Sequence, residues 1–259
     1  MAHSSIYHVV GQPESAANII SICGITQALA ETYILSQNRA QDAPLFLTCA
    51  IRPSGIFGIG DLVVLPGILD AYYRGQTKVQ LGSNRNLFDF TENTNVAYGH
   101  YLAAVALTKC KKDPDPDHQQ QQQQVPEDDN RVDGEAFFIT NGEPRYFWDF
   151  TRLVWRYAGD TTHPDQVWVI TRPWVLLLAG ILEWVFWGLG LGKAPLTRTK
   201  VRLSCMTRYF SIEKAKKRLG YKPFIGLEEG LRPAAEDCVR RRKATQSHVD
   251  INGEKEKAQ

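Results

Sequence analysis

The chain has almost no excess of charge. Its 30 basic and 28 acidic side chains leave a formal +2 over 259 residues, so no global field draws it to nucleic acid. A cysteine framework is missing too. Cys23, Cys49, Cys110, Cys205 and Cys238 are odd in number and form no C-x-x-C pair. That argues against disulfide stapling and against a structural zinc site, and for reduced thiols facing the cytosol. The opening MAHSSIYHVVGQPESAANII has neither a basic head nor an apolar run of about 7–15 residues, so it does not read as a secretory signal. Long apolar runs are scarce. The exception is VWVITRPWVLLLAGILEWVFWGLGLG at 167–192, where only Glu183 is charged between Trp174 and Trp187. A bilayer span wants about 20 apolar residues, and this segment is marginal. Tryptophans toward both ends leave three placements open: a buried or substrate-covering helix, a helix on a membrane surface, or a span.

What is present is a globular composition, 43% hydrophobic and 22% charged, enough for one large core or a core with a smaller lobe. LFLTCAI at 45–51 is short, unbroken and apolar, as expected of a buried strand in a parallel sheet. Helices are expected at 28–35 with Glu31 outward, and at 61–75 with Asp61 as cap, Gly75 as stop and an interruption at Pro66. A further helix is expected at 95–107 under an Asn95 cap, with His100 packed in the core. GEAFFITN then reads as a strand. YFWDFTRLVWRYAG reads as a helix with Phe147, Phe150, Leu153, Val154 and Tyr157 on its apolar face. Between them, KKDPDPDHQQQQQQVPEDDN combines acidic prolines with six glutamines, Gln119 to Gln124, and reads as a surface insertion. SIEKAKKRLGY is a serine-capped helix stopped at Gly220, and LEEGLRPAAEDCVRR a last helix interrupted near Pro233. Arg240 to Lys243 open a polar tail, either solvated and disordered or a contact for phosphate or a membrane surface. Strands alternating with helices in short units define an α/β protein with a parallel sheet.

The segment IRPSGIFGIGD, followed by LVVLPGILDAYYRG, DFTENTNVAYGHYLAA, GEAFFITNGEPRYFWDFTRLVWR and RYFSIEKAKKRLGYKP, resembles the 3β-hydroxysteroid dehydrogenase family of extended short-chain dehydrogenases. More narrowly, it resembles fungal sterol-4α-carboxylate 3-dehydrogenases of the decarboxylating type. The resemblance runs from about Thr26 to Leu231, apart from the glutamine insertion. It implies a partial NAD(P)-binding Rossmann-like fold with a mostly helical C-terminal substrate lobe. In such a fold the loop Pro53, Ser54, Gly55 and Ile56 lies beside the nicotinamide ring. Proline stiffens such a turn, and glycine lets backbone approach a flat ligand. A simple strand-to-helix turn is the alternative. Phe147, Trp148, Phe150, Trp174 and Trp184 are the expected lining of an apolar substrate cleft, or plain core. In DFTENTNVAYGH, Glu92 and Asn93 replace the family's usual aromatic and valine, while Asp89 and Asn95 are expected to organise the loop and cap the helix.

Two departures matter. The family's Tyr-x-x-x-Lys pair, in which lysine lowers the pKa of the proton-accepting phenol, falls on Cys23 and Gln27. Glutamine carries no charge, and a thiol reaches less far than a phenol. Tyr7, His8 and Tyr33 are ionisable groups nearby, but none stands four residues from a lysine. The Gly-rich turn that seats a pyrophosphate on a helix N-terminus is also missing. GIFGIGD and WGLGLGK do not qualify, so the resemblance implies a member lacking the N-terminal βαβ units. Three explanations compete for that: an active enzyme with its first part misread, a shortened paralogue, or a chain that completes its sheet with another protein.

The expected division is a divergent segment 1–25, the later part of the Rossmann-like domain 26–110, the insertion 111–132, a substrate lobe 133–240 and a tail 241–259. The implied activity is NAD- or NADP-dependent oxidation of a sterol or triterpenoid 3β-hydroxyl with loss of a C4 carboxylate. Neither metal nor nucleic acid is expected. The implied setting is the cytosolic face of the endoplasmic reticulum membrane, beside other C4-demethylation enzymes. The alternative is a catalytically inactive paralogue that binds sterol or acts as a scaffold.

Overall fold

The computed structural model describes residues 22–110 and 131–257, with side chains from 26 to 246. Tyr7, His8 and the glutamine run lie outside the described residues. Helix α1 (Ile22–Ser36) leads to strand β1 (Ala50–Pro53), then β2 (Ile56–Phe57) and α2 (Val64–Tyr73). After β3 (Val79–Leu81), β4 (Leu87–Phe88) and β5 (Thr91–Glu92), α3 (Asn93–Cys110) crosses back. Strand β6 (Ala136–Ile139) is followed by β7 (Arg145–Tyr146), which runs directly into α4 (Phe147–Tyr157), and β8 (Trp168–Ile170) precedes α5 (Arg172–Gly188). Three helices close the chain: α6 (Arg198–Cys205), α7 (Glu213–Leu219) and α8 (Leu227–Lys257).

The expected α/β character with parallel pairing is present. β1 pairs parallel with β6, Ala50 opposite Ala136 through Pro53 opposite Ile139. β2 pairs parallel with β5, and β3 with β8, while β4 and β7 run antiparallel. Each described ladder has only two strands. After β6 the chain is mostly helical.

Three clusters hold the fold. Phe57, Phe88, Phe90 and Phe150 join α2, α4 and α8 through Leu65, Trp155 and Leu231, and the Phe90 and Phe150 rings stack with centroids 3.5 Å apart. Phe137 and Ile139 of β6 pack under α3 and α7 with Ala103, Ala215 and Tyr221. Val175, Ala179 and Val201 fasten α5 to α6. Fully burying one such side chain contributes about 1.5–3 kcal/mol.

Several expectations need correction. The strand begins at Ala50, not Leu45. Leu45 and Phe46 are 60% and 51% exposed, because β6 offers ladder partners only from Ala136 onward. Glu31 does not point to solvent; it is half-buried and paired with Arg52 of β1. α2 is not interrupted at Pro66. The helix starts at Val64, so the proline sits in the first turn, where its missing N–H is harmless. Asp61 does cap it, accepting from the N–H groups of Val63, Val64 and Leu65 at 2.7, 3.1 and 2.8 Å. Gly75, at φ 68°, ends it as expected.

His100 is exposed on α3 rather than packed, its ring 2.8 Å from the Val96 carbonyl. α8 runs through Pro233 into the basic stretch and on to Lys257. Its buried face of Leu231, Ala234, Ala235 and Cys238 outweighs the lost hydrogen bond. The basic stretch is held helical by pairs such as Arg240–Asp237 and Arg241–Asp237 at 2.6 and 2.8 Å. Ser211 supplies the expected serine at the start of α7, its hydroxyl accepting from Glu213 N–H at 3.3 Å.

Candidate active site

The site is built where β1 ends. Proline at position 53 is the last residue of the ladder, and the backbone then turns sharply through Ser54 and Gly55 into β2. Ser54 is 1% exposed. Its hydroxyl donates to the Asp89 carbonyl at 3.0 Å and its N–H to the Thr91 hydroxyl at 3.3 Å. Thr91 donates in turn to the Ser54 carbonyl at 2.5 Å, and its N–H reaches the Gly55 carbonyl at 3.1 Å. Gly55 has φ +28°, and a Cβ there would come within 2.9 Å of the Asp89 carbonyl oxygen. The turn is therefore locked against β5, with Ser54 committed to structure. Ile56 is the residue it offers outward, 43% exposed.

Two residues that sequence reasoning assigned differently hold the neighbouring strand end. Glu92, buried, accepts from the N–H groups of Thr94 and Asn95 at 2.7 and 3.1 Å, so it, not Asn95, caps α3. Glutamate is not among the usual helix-capping residues, so no capping rule pointed to it. Asn95 instead accepts from Phe224 and Ile225 N–H at 2.6 and 3.0 Å and donates to Asn141 at 3.0 Å. Asp89 does organise its loop, accepting from Phe210 N–H at 2.7 Å. Burial pushes its carboxyl up to about 6, against the lowering pull of its hydrogen bonds from Phe210 and Thr140. Asp237 was missed, and Arg241 was expected only as part of a polar tail. They clamp the end of the glycine loop, Gly60 N–H to the Asp237 carboxylate at 3.1 Å and Arg241 to the Asp61 carbonyl at 2.7 Å.

The remaining sequence-predicted residues divide. Gln27 is exposed on α1, one turn before Glu31. Because Glu31 binds Arg52 at the end of β1, with one contact at 2.9 Å, Gln27 shares the helix face turned to that strand. The backbone places Cys23 in the first turn of α1; its side chain lies outside the described residues. Trp148 and Phe150 are buried in the main core, the indole donating to the Leu81 carbonyl at 2.8 Å. Phe147 is half-buried, edge-on to Phe88 at 5.7 Å. Trp174 and Trp184 stand 68% and 72% exposed on α5, away from that core. Among the described residues, no group of histidine, cysteine and carboxylate side chains could hold a metal.

The nicotinamide end of a dinucleotide suits this turn: a stiff proline, an outward isoleucine and no competing polar side chain. Its pyrophosphate does not suit the described residues. An anion seat needs free helix N-terminal N–H groups, and both helices here are already capped by carboxylates, α2 by Asp61 and α3 by Glu92.

Parallel ladders, a crossover helix and a glycine turn at a strand's carboxyl end define a Rossmann-like α/β fold of the extended short-chain dehydrogenase type. Solved structures agree on the fold. The crystal structure of gox2253 superposes with TM-score 0.55 at 23% identity, over 87% of this chain and 58% of that one. A dTDP-glucose 4,6-dehydratase from Bacillus anthracis in complex with NAD gives 0.50 at 14% identity, over 86% and 53%. The chain belongs to the 3-beta hydroxysteroid dehydrogenase/isomerase family, whose sequence pattern matches residues 16–171. Among curated relatives, the decarboxylating sterol-4-alpha-carboxylate 3-dehydrogenase of Saccharomyces cerevisiae is 44% identical over 209 residues, 80% of this chain and 53% of that protein. The Schizosaccharomyces pombe enzyme of the same name is 40% identical over 208 residues, 80% and 54%. The human one is 32% identical over 80% and 50%. The chain thus spans about half the length of the curated relatives it matches.

Proposed function

We propose that this protein acts in oxidative decarboxylation of a sterol or triterpenoid 4α-carboxylate, with NAD or NADP as hydride acceptor. Held beside Pro53 to Ile56, a nicotinamide would supply the acceptor for the C3 hydride, and the hydroxyl proton would go to a base. The C3 ketone then takes up the electron pair left at C4 as the carboxylate departs as carbon dioxide. The observation that supports this most is the 40–44% identity to two yeast enzymes of that name over 80% of the chain. The contribution of the chain's own residues is positional: Pro53 to Ile56 fix one wall of the cleft, and α1 brings position 27 toward it. The test titrates the purified chain with NADH for binding, and supplies NAD or NADP with a 4α-carboxylated sterol for turnover. Saturable NADH binding with matched ketone and carbon dioxide formation is expected. Their joint absence would sink the reading.

Gln27 and the two carboxylate-capped helices favour a second reading, a sterol-binding or scaffold protein without hydride transfer, beside other C4-demethylation enzymes. Sterol binding retained without any NADH binding would select it. Either form works at a membrane surface, the cytosolic face of the endoplasmic reticulum, and the apolar face of α5 supports that setting. Trp174, Trp184 and Trp187 are 68%, 72% and 80% exposed there. Among the described residues no helix is long and apolar enough to cross a membrane.

A further inference from the structure

The groove between α2 and α8 has no part in the chemistry above. It encloses about 440 Å³, within the size range of pockets that take small lipids and drug-sized ligands. One wall is apolar and comes from Leu62, Pro66 and Leu69. Leu62 is 77% exposed and Leu69 only 2%, so this wall runs from water down to the core. The other wall carries Arg241 and Arg242.

The two arginines are not equivalent. Arg241 donates to Asp237 at 2.8 Å and to the Asp61 carbonyl at 2.7 Å, and Asp237 also holds Arg240 at 2.6 Å. Those charges are compensated locally. Of the nearby carboxylates, Asp61 is spent on capping α2, and Asp70 is paired with Arg74 at 2.9 Å. Arg242 instead lies with its guanidinium carbon 4.0 Å from the centroid of the Tyr73 ring. Among the described residues no carboxylate pairs with it. A guanidinium resting on an aromatic face keeps its planar N–H edge free for a bidentate carboxylate. One uncompensated, pre-positioned cation beside an apolar trough recognises a molecule that is hydrocarbon along its length and anionic at one end.

We propose that this groove binds an apolar molecule bearing a single carboxylate, the carboxylate on Arg242 and the hydrocarbon along Leu62, Pro66 and Leu69. The site does not depend on hydride transfer. It does adjoin the glycine loop, because Asp237 and Arg241 clamp Gly60 and Asp61 from the same turn of α8.

The test is calorimetric titration of the full 259-residue chain with no nicotinamide present. The probes are cholanate for a ring body and oleate for an acyl body, each against its methyl ester, with lysophosphatidate as a phosphate control. The acids should bind with micromolar affinity and the esters about tenfold or more weakly. Arg242→Gln should lower acid affinity about tenfold while leaving the esters unchanged. Leu62→Asp is the second variant, at a side chain exposed enough to spare the fold, and it should abolish acid binding. Whichever acid binds more tightly identifies the natural body. Equal binding of acid and ester, tighter binding of lysophosphatidate, acid affinity unmoved in Arg242→Gln, or no binding at all would overturn the proposal. NADH binding and turnover are read separately, so failure of the dehydrogenase reading leaves this result standing.

Discussion

We propose that positions 23 and 27 stand where the family's chemistry calls for a phenol and a cation. The exposed Gln27 has no charge with which to lower a neighbour's pKa, and Cys23 offers a thiol in place of a phenol. Restoring both, as Cys23→Tyr with Gln27→Lys, is expected to raise kcat/KM for a 3β-hydroxysteroid about 100-fold. Steady-state kinetics of the two single variants and the double variant check this. A double variant no better than the singles would show that these positions do not face the substrate. Asp89 makes a different kind of prediction. Its carboxyl is raised from 3.8 to about 6 in the folded chain, so folding holds its proton more tightly than the unfolded chain does. The resulting stability is present below about pH 4 and is lost as pH rises through about 6, by up to about 3 kcal/mol. Asp89→Asn keeps an oxygen for the Phe210 N–H and removes the titration. Urea melts from pH 4 to 7 should therefore fall for the native chain relative to the variant. Parallel profiles would exclude this role for Asp89.

At the scale of elements, α1 is tied to β1 by the Glu31–Arg52 ion pair and to the segment before β1 by the Thr48 hydroxyl, which donates to the Ile34 carbonyl at 3.2 Å. Glu31 and Arg52 are 25% and 23% exposed, and Arg52 also lies 5.4 Å from the Phe138 ring centroid. Much of the opposite face is bare, with Leu29 and Tyr33 each 64% exposed. Arg52→Ala is expected to destabilise by about 1 kcal/mol and to accelerate amide exchange in α1 while the amides of the β1–β6 ladder keep their protection. Uniform acceleration would show that α1 is not separately tethered. The helices with internal signals were legible in the sequence. Asp61 and Gly75 bound α2, Gly220 stops α7, and the apolar positions of α4 mark its buried face. What the residues did not show depends on partners distant in the chain. β1 could not be placed at 50–53 rather than 45–51 without knowing that β6 begins at Ala136. Pro233 misleads for the same reason, since its helix-breaking tendency is overruled by the core that Leu231 and Ala235 enter. The site divides likewise. The Pro53–Ile56 turn was visible as a motif, but Ser54 facing inward and the Asp237–Arg241 clamp are products of packing between segments far apart in the chain.

For the whole molecule, the decisive feature is how much apolar surface stays uncovered. The described ladders are two strands wide, and β1 is half-buried along its length, where a strand inside a covered parallel sheet would be buried on both faces. α5 carries much of the uncovered apolar surface: only Val175 and Ala179 are buried there, and Leu177, Leu178 and Ile181 join the three tryptophans in facing outward. A helix of 17 residues is too short for comfortable spanning but long enough to lie in the headgroup layer, with indoles at the polar boundary. Removing the indoles in a Trp174→Ser, Trp184→Ser, Trp187→Ser variant leaves the α5–α6 contact of Val175, Ala179 and Val201 untouched, so the fold should persist by circular dichroism. Flotation with neutral phosphatidylcholine vesicles should then fall at least about tenfold relative to the native chain. Because the contact is apolar rather than ionic, the native flotation should change little between low and high salt. Flotation that vanishes in salt while surviving the tryptophan substitutions would assign membrane attachment to the basic stretch of α8 instead of α5.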